Sequence, residues 1–382
     1  MVCIQSKFIC LSLKIVSYIV RSNEKGAEII MGNLKMLFDK NSAKEIIEKG
    51  RRAKWWQRKG GKASGFKYYD TNGKQINDEV SLERIKSLVI PPAWKFVRIS
   101  TSASSNLQAV GMDTTGRVQY LYNQKFRASQ EKKKFLKIEK FGEHLPKLRK
   151  ITNEHLQLEG FPREKVLAVM MRLINSLYIR LGTEKSVKHY KTYGITTLQN
   201  RHLEINKKGE LVFSFVGKHH IKHRKVLVDE ELAVIMRDLK AIGGARKLFN
   251  YLDENNKPHP IKPKDINNYL KEVTAPEFSA KDFRTWGGTL LAALELAEIG
   301  FCDDEILLKK NIINAIKKVA KQLGNTPSVC RASYIHPTIL KSYESGLTLA
   351  EFKRKIKRQV KRIEAEYEPE EIALMKLFQT EI

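Results

Sequence analysis

Residues 53–122 consist of short apolar and polar alternations separated by turn residues, a pattern typical of a small antiparallel sheet. In the run GGKASGFKYYDTNGKQI, Asn72-Gly73 lies between two extended stretches and predicts a hairpin. After Pro91-Pro92, the runs WKFVRIS, LQAVGMD and RVQYLYN predict three more strands, with Thr115-Gly116 as the turn between the last two.

From Gln124 onward the spacing of apolar residues becomes mostly helical. Residues 163–180 predict an amphipathic helix that ends just before Gly182, and Ser279 with Asp282 predicts the start of another helix. The run HLEINKKGELVFSFVGKHHIKHRKVLVD alternates in twos around two glycine turns, which predicts three antiparallel strands inside this helical region. Residues 349–382 predict one or two charged helices.

These patterns predict an α+β protein with a β-rich domain at 31–124 and a larger, mostly helical domain at 125–382 that contains a short three-stranded antiparallel sheet. Residues 1–30 contain an apolar run that Lys14 interrupts, and no small-residue cleavage site follows Val20. Because Met31 offers a second start, we expect these residues to be a disordered leader or a mis-started extension.

Charge narrows the choice of partner. The chain has 382 residues, with 70 Lys+Arg against 42 Asp+Glu, which gives a formal net charge of +28. Such an excess on a foldable chain predicts a polyanionic partner, and nucleic acid is the leading candidate. An anionic membrane is the rival, but no run of about 18 apolar residues follows residue 30, so we expect no membrane-spanning helix.

Other compositional features argue against metal or nucleotide chemistry. The four cysteines form no CxxC pair, which is typical of a reducing, cytoplasmic compartment. His219, His220 and His223 lie in one basic turn without a thiolate or carboxylate nearby, so we expect no metal site. The glycine-rich stretches lack the GxxxxGK[ST] pattern, and we expect no nucleotide cofactor.

Three segments combine a reactive group with a structural frame. KDFRTWGGT places Arg284 near the start of a helix, and FSFVGKHH places Lys218 at a hairpin tip. In LGNTPSVCRASYIHP, Thr326 can cap a short helix that carries Tyr334 about two turns later. Taken singly, an arginine, lysine or tyrosine in such a segment is more often an ordinary surface, turn or packing residue.

Taken in chain order, the segments resemble the type IB DNA topoisomerases of the poxviral and bacterial kind. The resemblance covers residues 55–345 and includes VIPPAW and AVGMDTTGRVQYLYN in the first domain. In the second domain it rests on five motifs: IRLG with Arg180, FVGK with Lys218, KDFRTWG with Arg284, LGNTP with Asn325, and CRASYIHP with Tyr334.

The resemblance implies a clamp around double-stranded DNA in which Tyr334 attacks a phosphodiester and forms a 3′-phosphotyrosyl bond. It implies that Arg180 and Arg284 bind the phosphate and that Lys218 protonates the leaving 5′-oxygen. Asn325 stands where the poxviral enzymes have histidine, so we expect no acidic limb from this position in the pH dependence of activity.

The resemblance further implies relaxation of positive and negative supercoils without ATP or a metal ion. It implies that the enzyme is a monomer associated with the nucleoid. The strand that would face DNA carries Gln119, Tyr120 and Tyr122.

Two other functions are compatible with parts of the pattern. A tyrosine recombinase shares the Arg, Lys, Arg, Tyr order but usually has histidine three residues before the second arginine, where this chain has Lys281. A non-catalytic DNA-binding protein would use the charge alone, and replacing Tyr334 would then leave its behaviour unchanged.

Overall fold

The computed structural model describes residues 44–50, 52–242, 246–351 and 368–380. Residues 1–43, which include the expected leader at 1–30, and residues 352–367 of the predicted charged tail lie outside this part of the chain. The described residues divide into two compact units that meet between residues 130 and 131. The boundary predicted at 124/125 lies six residues earlier, where the first helix of the larger unit begins.

The first unit is built on a five-stranded antiparallel sheet with the order β2-β1-β3-β4-β5. Its strands are β1 (Trp56–Gly61), β2 (Gly65–Tyr69), β3 (Lys95–Ile99), β4 (Leu107–Met112) and β5 (Val118–Tyr122). A helix, α1 (Glu79–Ser87), is capped by Asp78, whose carboxylate accepts from the Ser81 backbone N–H at 2.8 Å. Ile85 of this helix packs with Val97, Ile99 and Ala109 of the sheet.

The three strands predicted after Pro91-Pro92 are confirmed, and so is the turn at Thr115-Gly116. The chain does reverse at Asn72-Gly73, as predicted, but the two-stranded hairpin lies earlier, where β1 and β2 turn between Gly61 and Gly65. After β2, the Asp70 side chain closes a tight turn by accepting from the backbone N–H groups of residues 72 and 74. An isolated antiparallel bridge from Tyr69 to Gln75 spans that turn.

The second unit is mostly helical, as predicted. Its helices are α2 (Gln124–Leu156), α3 (Arg163–Leu177), α4 (Glu184–Tyr190), α5 (Glu230–Ala241), α6 (Pro263–Val273), α7 (Asp282–Ile299), α8 (Glu305–Leu323), α9 (Pro327–Tyr334), α10 (Pro337–Glu344) and α11 (Pro369–Phe378). The first seven residues of α2 fall in the first unit. Helix α3 lies in the middle of the core, since nine of its 15 residues are buried.

The three-stranded antiparallel sheet of this unit is confirmed, with strands β6 (Leu203–Ile205), β7 (Glu210–Val216) and β8 (Lys222–Val228). A short pair, β9 (Asn250–Leu252) and β10 (Pro258–Pro260), was not predicted. With three residues in each strand, it is too short to produce a recognisable alternation.

Two helix boundaries differ from the prediction. Helix α3 ends at Leu177, and Tyr178 takes the left-handed conformation with φ of 53°, so Arg180 lies in the segment after the helix. Helix α7 begins at Asp282, whose carboxylate accepts from the N–H and hydroxyl of Ser279 at 2.8 and 3.1 Å. The predicted Ser279 and Asp282 pair therefore forms, but it secures the turn before the helix.

Candidate active site

The C-terminal end of α8 organises the candidate site. The last carbonyls of a helix have no partner within it and carry partial negative charge. Here the Leu323 carbonyl accepts from Nη2 of Arg284 at 2.7 Å and from Nη1 of Arg180 at 3.3 Å. The Gly324 carbonyl accepts from Nη2 of Arg180 at 3.1 Å. Two arginines from distant parts of the sequence are thus held side by side at one helix end.

Arg284 is the third residue of α7 and only 4% exposed. Its Nη1 donates to the Tyr178 carbonyl at 2.5 Å, a contact that the left-handed turn after α3 makes available. Its Nε is buried and has no hydrogen-bond partner among the described residues. Burial and, to a smaller extent, the nearby Arg180 lower the pKa of Arg284 to about 10, with Tyr334 opposing both effects. The guanidinium remains charged at neutral pH.

Asn325 follows directly on the same helix end. Its Oδ1 accepts a hydrogen bond from Nη2 of Arg180, and its backbone N–H donates to the Ala320 carbonyl at 2.9 Å. Its Nδ2 is buried without a partner among the described residues. Buried donors normally have acceptors, so the Nδ2 of Asn325 and the Nε of Arg284 are both available to an external acceptor.

Tyr334 is the last residue of α9, whose N-cap is Thr326 with Pro327 at the first helical position, as predicted. The Arg284 guanidinium carbon lies 5.2 Å from the centre of the Tyr334 ring. Burial lowers the pKa of Arg180, and the nearby Tyr334 hydroxyl partly opposes that shift. The structure therefore brings four of the predicted residues together: Arg180, Arg284, Asn325 and Tyr334.

The backbone of Tyr334 rests on two residues of α7. The Thr289 hydroxyl lies 3.3 Å from the Tyr334 carbonyl oxygen, and a Cβ added at Gly288 would lie 2.5 Å from that same oxygen. A Cβ added at Gly287 would lie 2.1 Å from the Tyr178 ring. The glycines of the WGG sequence therefore permit close packing of the Tyr178 ring against Gly287 and of the Tyr334 backbone against Gly288.

Lys218 lies on the turn between β7 and β8, as predicted, and is exposed. It lines the same small cavity as Arg180 and Arg284. The two residues after it, His219 and His220, both have positive φ, at 62° and 58°. The fifth predicted residue thus reaches the site from a separate, solvent-exposed hairpin.

The sequence interpretation did not include two cavity residues on β8, His223 and Lys225. The Lys225 ammonium donates to the Gln322 carbonyl at 2.5 Å, so a third cation binds the end of α8. Burial lowers the pKa of Lys225 to about 8, with the two arginines as smaller causes. Burial lowers the pKa of His223 to about 4, with Lys225 as the next cause. The strand prediction offered the signal for both residues, because a two-residue period places His223 and Lys225 on the same face as Leu227, and the structure half-buries that face.

Gln119, Tyr120 and Tyr122 lie in the first unit, on the edge strand β5. Tyr120 and Tyr122 are 49% and 42% exposed, and their rings stack with centroids 6.3 Å apart. Gln119 is half-buried and its amide donates to Asp113 at 2.8 Å. The two tyrosines therefore form an exposed aromatic face, whereas the amide of Gln119 already has a partner.

Within the described ranges, no helix has the length and apolar character needed to cross a membrane. No group of three or more His, Cys, Asp or Glu residues is arranged to hold a metal ion in that same part of the chain.

Comparison with known proteins decides the family. The profile described as "Eukaryotic DNA topoisomerase I, catalytic core" matches residues 123–364, and "Bacterial DNA topoisomerase IB, N-terminal domain" matches residues 65–113. The chain belongs to the type IB DNA topoisomerase family. It is therefore an enzyme that acts on DNA, and the α+β fold expected of that family is confirmed.

Viral members of the family are among its relatives. The chain is similar to DNA topoisomerase 1B of Acanthamoeba polyphaga mimivirus, with 31% identity over 286 residues, 73% of this chain and 84% of that protein. It is 28% identical over 242 residues to DNA topoisomerase 1B of vaccinia virus (strain Copenhagen), covering 62% of this chain and 73% of that protein. A recombinase or a purely architectural protein is not favoured by these matches.

Proposed function

We propose that this type IB topoisomerase relaxes positive and negative supercoils by transient single-strand cleavage at Tyr334. The observation that carries the assignment is the arrangement at the end of α8. There, two arginines lie beside the tyrosine, and two buried donors, Nε of Arg284 and Nδ2 of Asn325, have no acceptor among the described residues. The oxygens of a DNA phosphate are acceptors of the right charge for such a site.

In the cleavage step, the Tyr334 hydroxyl oxygen bonds to phosphorus as its proton passes to water, and the bond from phosphorus to the 5′-oxygen breaks. The protein is left joined to the 3′-phosphate. A free 5′-alkoxide is a strongly basic leaving group, so its departure requires a proton. Lys218 is the proposed donor, because its exposed turn lines the cavity beside both arginines.

Arg180, Arg284 and Asn325 are proposed to stabilise the negative charge of the transition state. Their side chains are held by backbone carbonyls and by one another before DNA binds, so little reorganisation is required. Each such donor contributes about 3 to 4 kcal/mol to transition-state stabilisation in comparable preorganised sites. Arginine also matches the planar geometry of phosphate oxygens better than lysine does.

Religation is the reverse reaction, with the 5′-hydroxyl as nucleophile after the free strand has rotated about the intact one. The phosphotyrosyl bond retains the free energy of the cleaved phosphodiester, so the cycle is proposed to need neither ATP nor a metal ion. A general base must then accept the proton of the 5′-hydroxyl, and Lys218 is the proposed base in this direction.

The domains are proposed to share the work, with residues 31–124 clamping DNA and residues 125–382 cutting it. The exposed ring stack of Tyr120 and Tyr122, together with Gln119, is proposed to contact DNA.

All five proposed catalytic residues come from one chain, which supports a monomer. The net charge of +28 supports an enzyme associated with the nucleoid in the cytoplasm.

The decisive experiment is relaxation of negatively and positively supercoiled plasmids in EDTA without ATP, with wild type and Tyr334→Phe side by side. We expect only the wild type to relax both plasmids, while both proteins bind linear DNA equally. Relaxation by Tyr334→Phe would refute the nucleophile. Failure of the wild type to relax either plasmid despite tight binding would favour an architectural protein.

A further inference from the structure

The nucleophile helix is contacted by a lysine that the proposed mechanism does not use. Helix α9 has eight residues and ends at Tyr334, so the carbonyls of its last turn need donors from outside the helix. The ammonium of Lys134, on α2, lies 3.3 Å from the carbonyl oxygens of both Ala332 and Ser333. A cation at a helix C-terminus also interacts favourably with the helix dipole.

Helix α2 also holds the chain directly after the nucleophile. The Phe135 ring meets the His336 ring edge-on, with centroids 4.9 Å apart, and Glu139 accepts from Nε2 of His336 at 3.2 Å. His336 is 6% exposed, and its Nδ1 accepts from the Thr338 N–H to cap α10. Tyr334 thus lies between two segments that are both anchored to α2.

The Tyr334 backbone also contacts α7, through Thr289 and the close approach at Gly288. A loss of the Lys134 contact would therefore leave the α7 contacts of the nucleophile in place. The expected result is a shift or rotation of the phenol, with the helix still folded. Displacements of about 1 Å at a reacting group reduce rates about 100-fold.

Lys134 is held in this position at an electrostatic cost. It is half-buried, and burial lowers its pKa to about 8, with Glu131 opposing the shift and Lys281 adding to it. The neighbouring lysines at 132 and 133 are exposed and suffice for solubility, so solubility alone does not explain the half-buried position of Lys134.

We propose that Lys134 is a positioning residue for the nucleophile, which holds the last turn of α9 so that the Tyr334 hydroxyl faces the two arginines. The inference deepens the proposed function and rests on it, because it assumes that Tyr334 attacks DNA. Lys134 touches neither DNA nor the reacting atoms in this assignment, and it acts only through the backbone of the nucleophile helix.

The test is single-turnover cleavage of a duplex that carries a site mapped with the wild-type enzyme. The strand beyond the cleavage site is kept short enough to dissociate. Four variants are compared with wild type: Lys134→Met, Lys134→Gln, Lys134→Arg and the control Lys133→Met. The control removes the same charge from an exposed position one residue away.

We expect Lys134→Met and Lys134→Gln to reduce the cleavage rate constant at saturating enzyme by about 10- to 100-fold. The enzyme concentration that gives half the maximal rate should match that of Lys133→Met. Arginine can donate to both carbonyls, so Lys134→Arg should recover most of the rate. Melting temperatures establish that each variant folds, and Lys134→Gln serves if the methionine variant does not.

Three outcomes would overturn the proposal. The first is a cleavage rate for both loss variants equal to that of Lys133→Met. The second is a defect confined to the half-saturating concentration, which would make Lys134 a DNA-binding charge. The third is an arginine variant that folds but recovers nothing. If the wild type forms no covalent complex while Tyr334→Phe behaves identically, the proposed function itself fails, and this inference fails with it.

Discussion

Asn325 and Arg180 are joined by a hydrogen bond in which the guanidinium donates to Oδ1 of the amide, which fixes the amide orientation. The Nδ2 of Asn325 is thereby turned into a buried position with no acceptor among the described residues. One amide therefore performs two tasks: it orients an arginine, and it presents a neutral donor to the place proposed for the phosphate.

This relationship predicts different effects for two substitutions of Asn325. Asn325→Asp keeps the acceptor for Arg180 but replaces the donor with a negative charge facing the phosphate. Asn325→Ala removes both functions without adding charge. We expect cleavage to fall about 100-fold in the alanine variant and further in the aspartate variant. Single-turnover cleavage measures both rates, and equal activity of Asn325→Asp and wild type would show that Nδ2 does not face the phosphate.

The same position governs the pH dependence of cleavage. An amide does not titrate, and the nearby His223 has a pKa of about 4, so neither group changes charge between pH 5.5 and 7. We expect the wild-type cleavage rate constant to vary by less than about twofold over this range and Asn325→His to acquire an acidic limb. Rapid-quench cleavage across the range measures both profiles. An acidic limb near pH 6.5 in the wild type would contradict the assignment.

The close approach of Gly288 to the Tyr334 backbone predicts that adding a single methyl group at this position slows cleavage. A Cβ at this position would lie 2.5 Å from the Tyr334 carbonyl oxygen, so Gly288→Ala must displace the end of α9 or α7. We expect cleavage to fall about 10- to 100-fold, with DNA binding retained. Gly61→Ala is the control, because the nearest atom to its added Cβ would be 3.9 Å away. Wild-type cleavage by Gly288→Ala would show that the helices shift without cost.

Much of this architecture could be predicted from local sequence. Strong alternation around glycine turns located β3, β4, β5 and the β6-β7-β8 sheet, and the cap formed by Thr326 and Pro327 located α9. The end of α3 was misplaced because Tyr178 adopts a left-handed backbone that tertiary contacts stabilise, while Gly182 offered a conventional stop.

The residues that hold the cluster together were harder to find. Lys225 binds a carbonyl on a helix about 100 residues away. Gly287 and Gly288 are needed because the Tyr178 ring approaches the first and the Tyr334 backbone approaches the second. Such contacts depend on how elements pack and not on spacing within one element. The resemblance to a family supplied the order of the reactive groups, but the geometry that supports them comes from the fold.

The proposed role of Lys218 as a general acid predicts that a substrate with a better leaving group restores cleavage by a Lys218 variant. If Lys218 protonates the leaving 5′-oxygen, its loss should matter only while that oxygen is a poor leaving group. We expect Lys218→Ala to cleave an ordinary phosphodiester about 100-fold or more slowly than wild type. A substrate with sulfur in place of the bridging 5′-oxygen should restore the rate, because a thiolate leaves without a proton. Arg284→Ala is the contrast: its defect concerns the non-bridging oxygens and should persist with the sulfur substrate. Equal defects of Lys218→Ala on both substrates would exclude it as the acid.

The histidines predict how stability depends on pH. Burial lowers the pKa of His223 and of His336 from 6.5 to about 4 in the folded protein. The unfolded chain therefore binds protons between these values that the folded chain does not, so the free energy of unfolding falls as pH decreases from 6.5 towards 4. Each histidine accounts for about 2 to 3 kcal/mol of the free energy of unfolding over that range.

Urea unfolding at pH 7 and pH 4.5 measures the loss. His223→Gln and His336→Gln should each have a smaller loss between the two pH values, since glutamine has no proton to gain. If both variants lose as much stability as the wild type, carboxylates and not these imidazoles set the acid sensitivity.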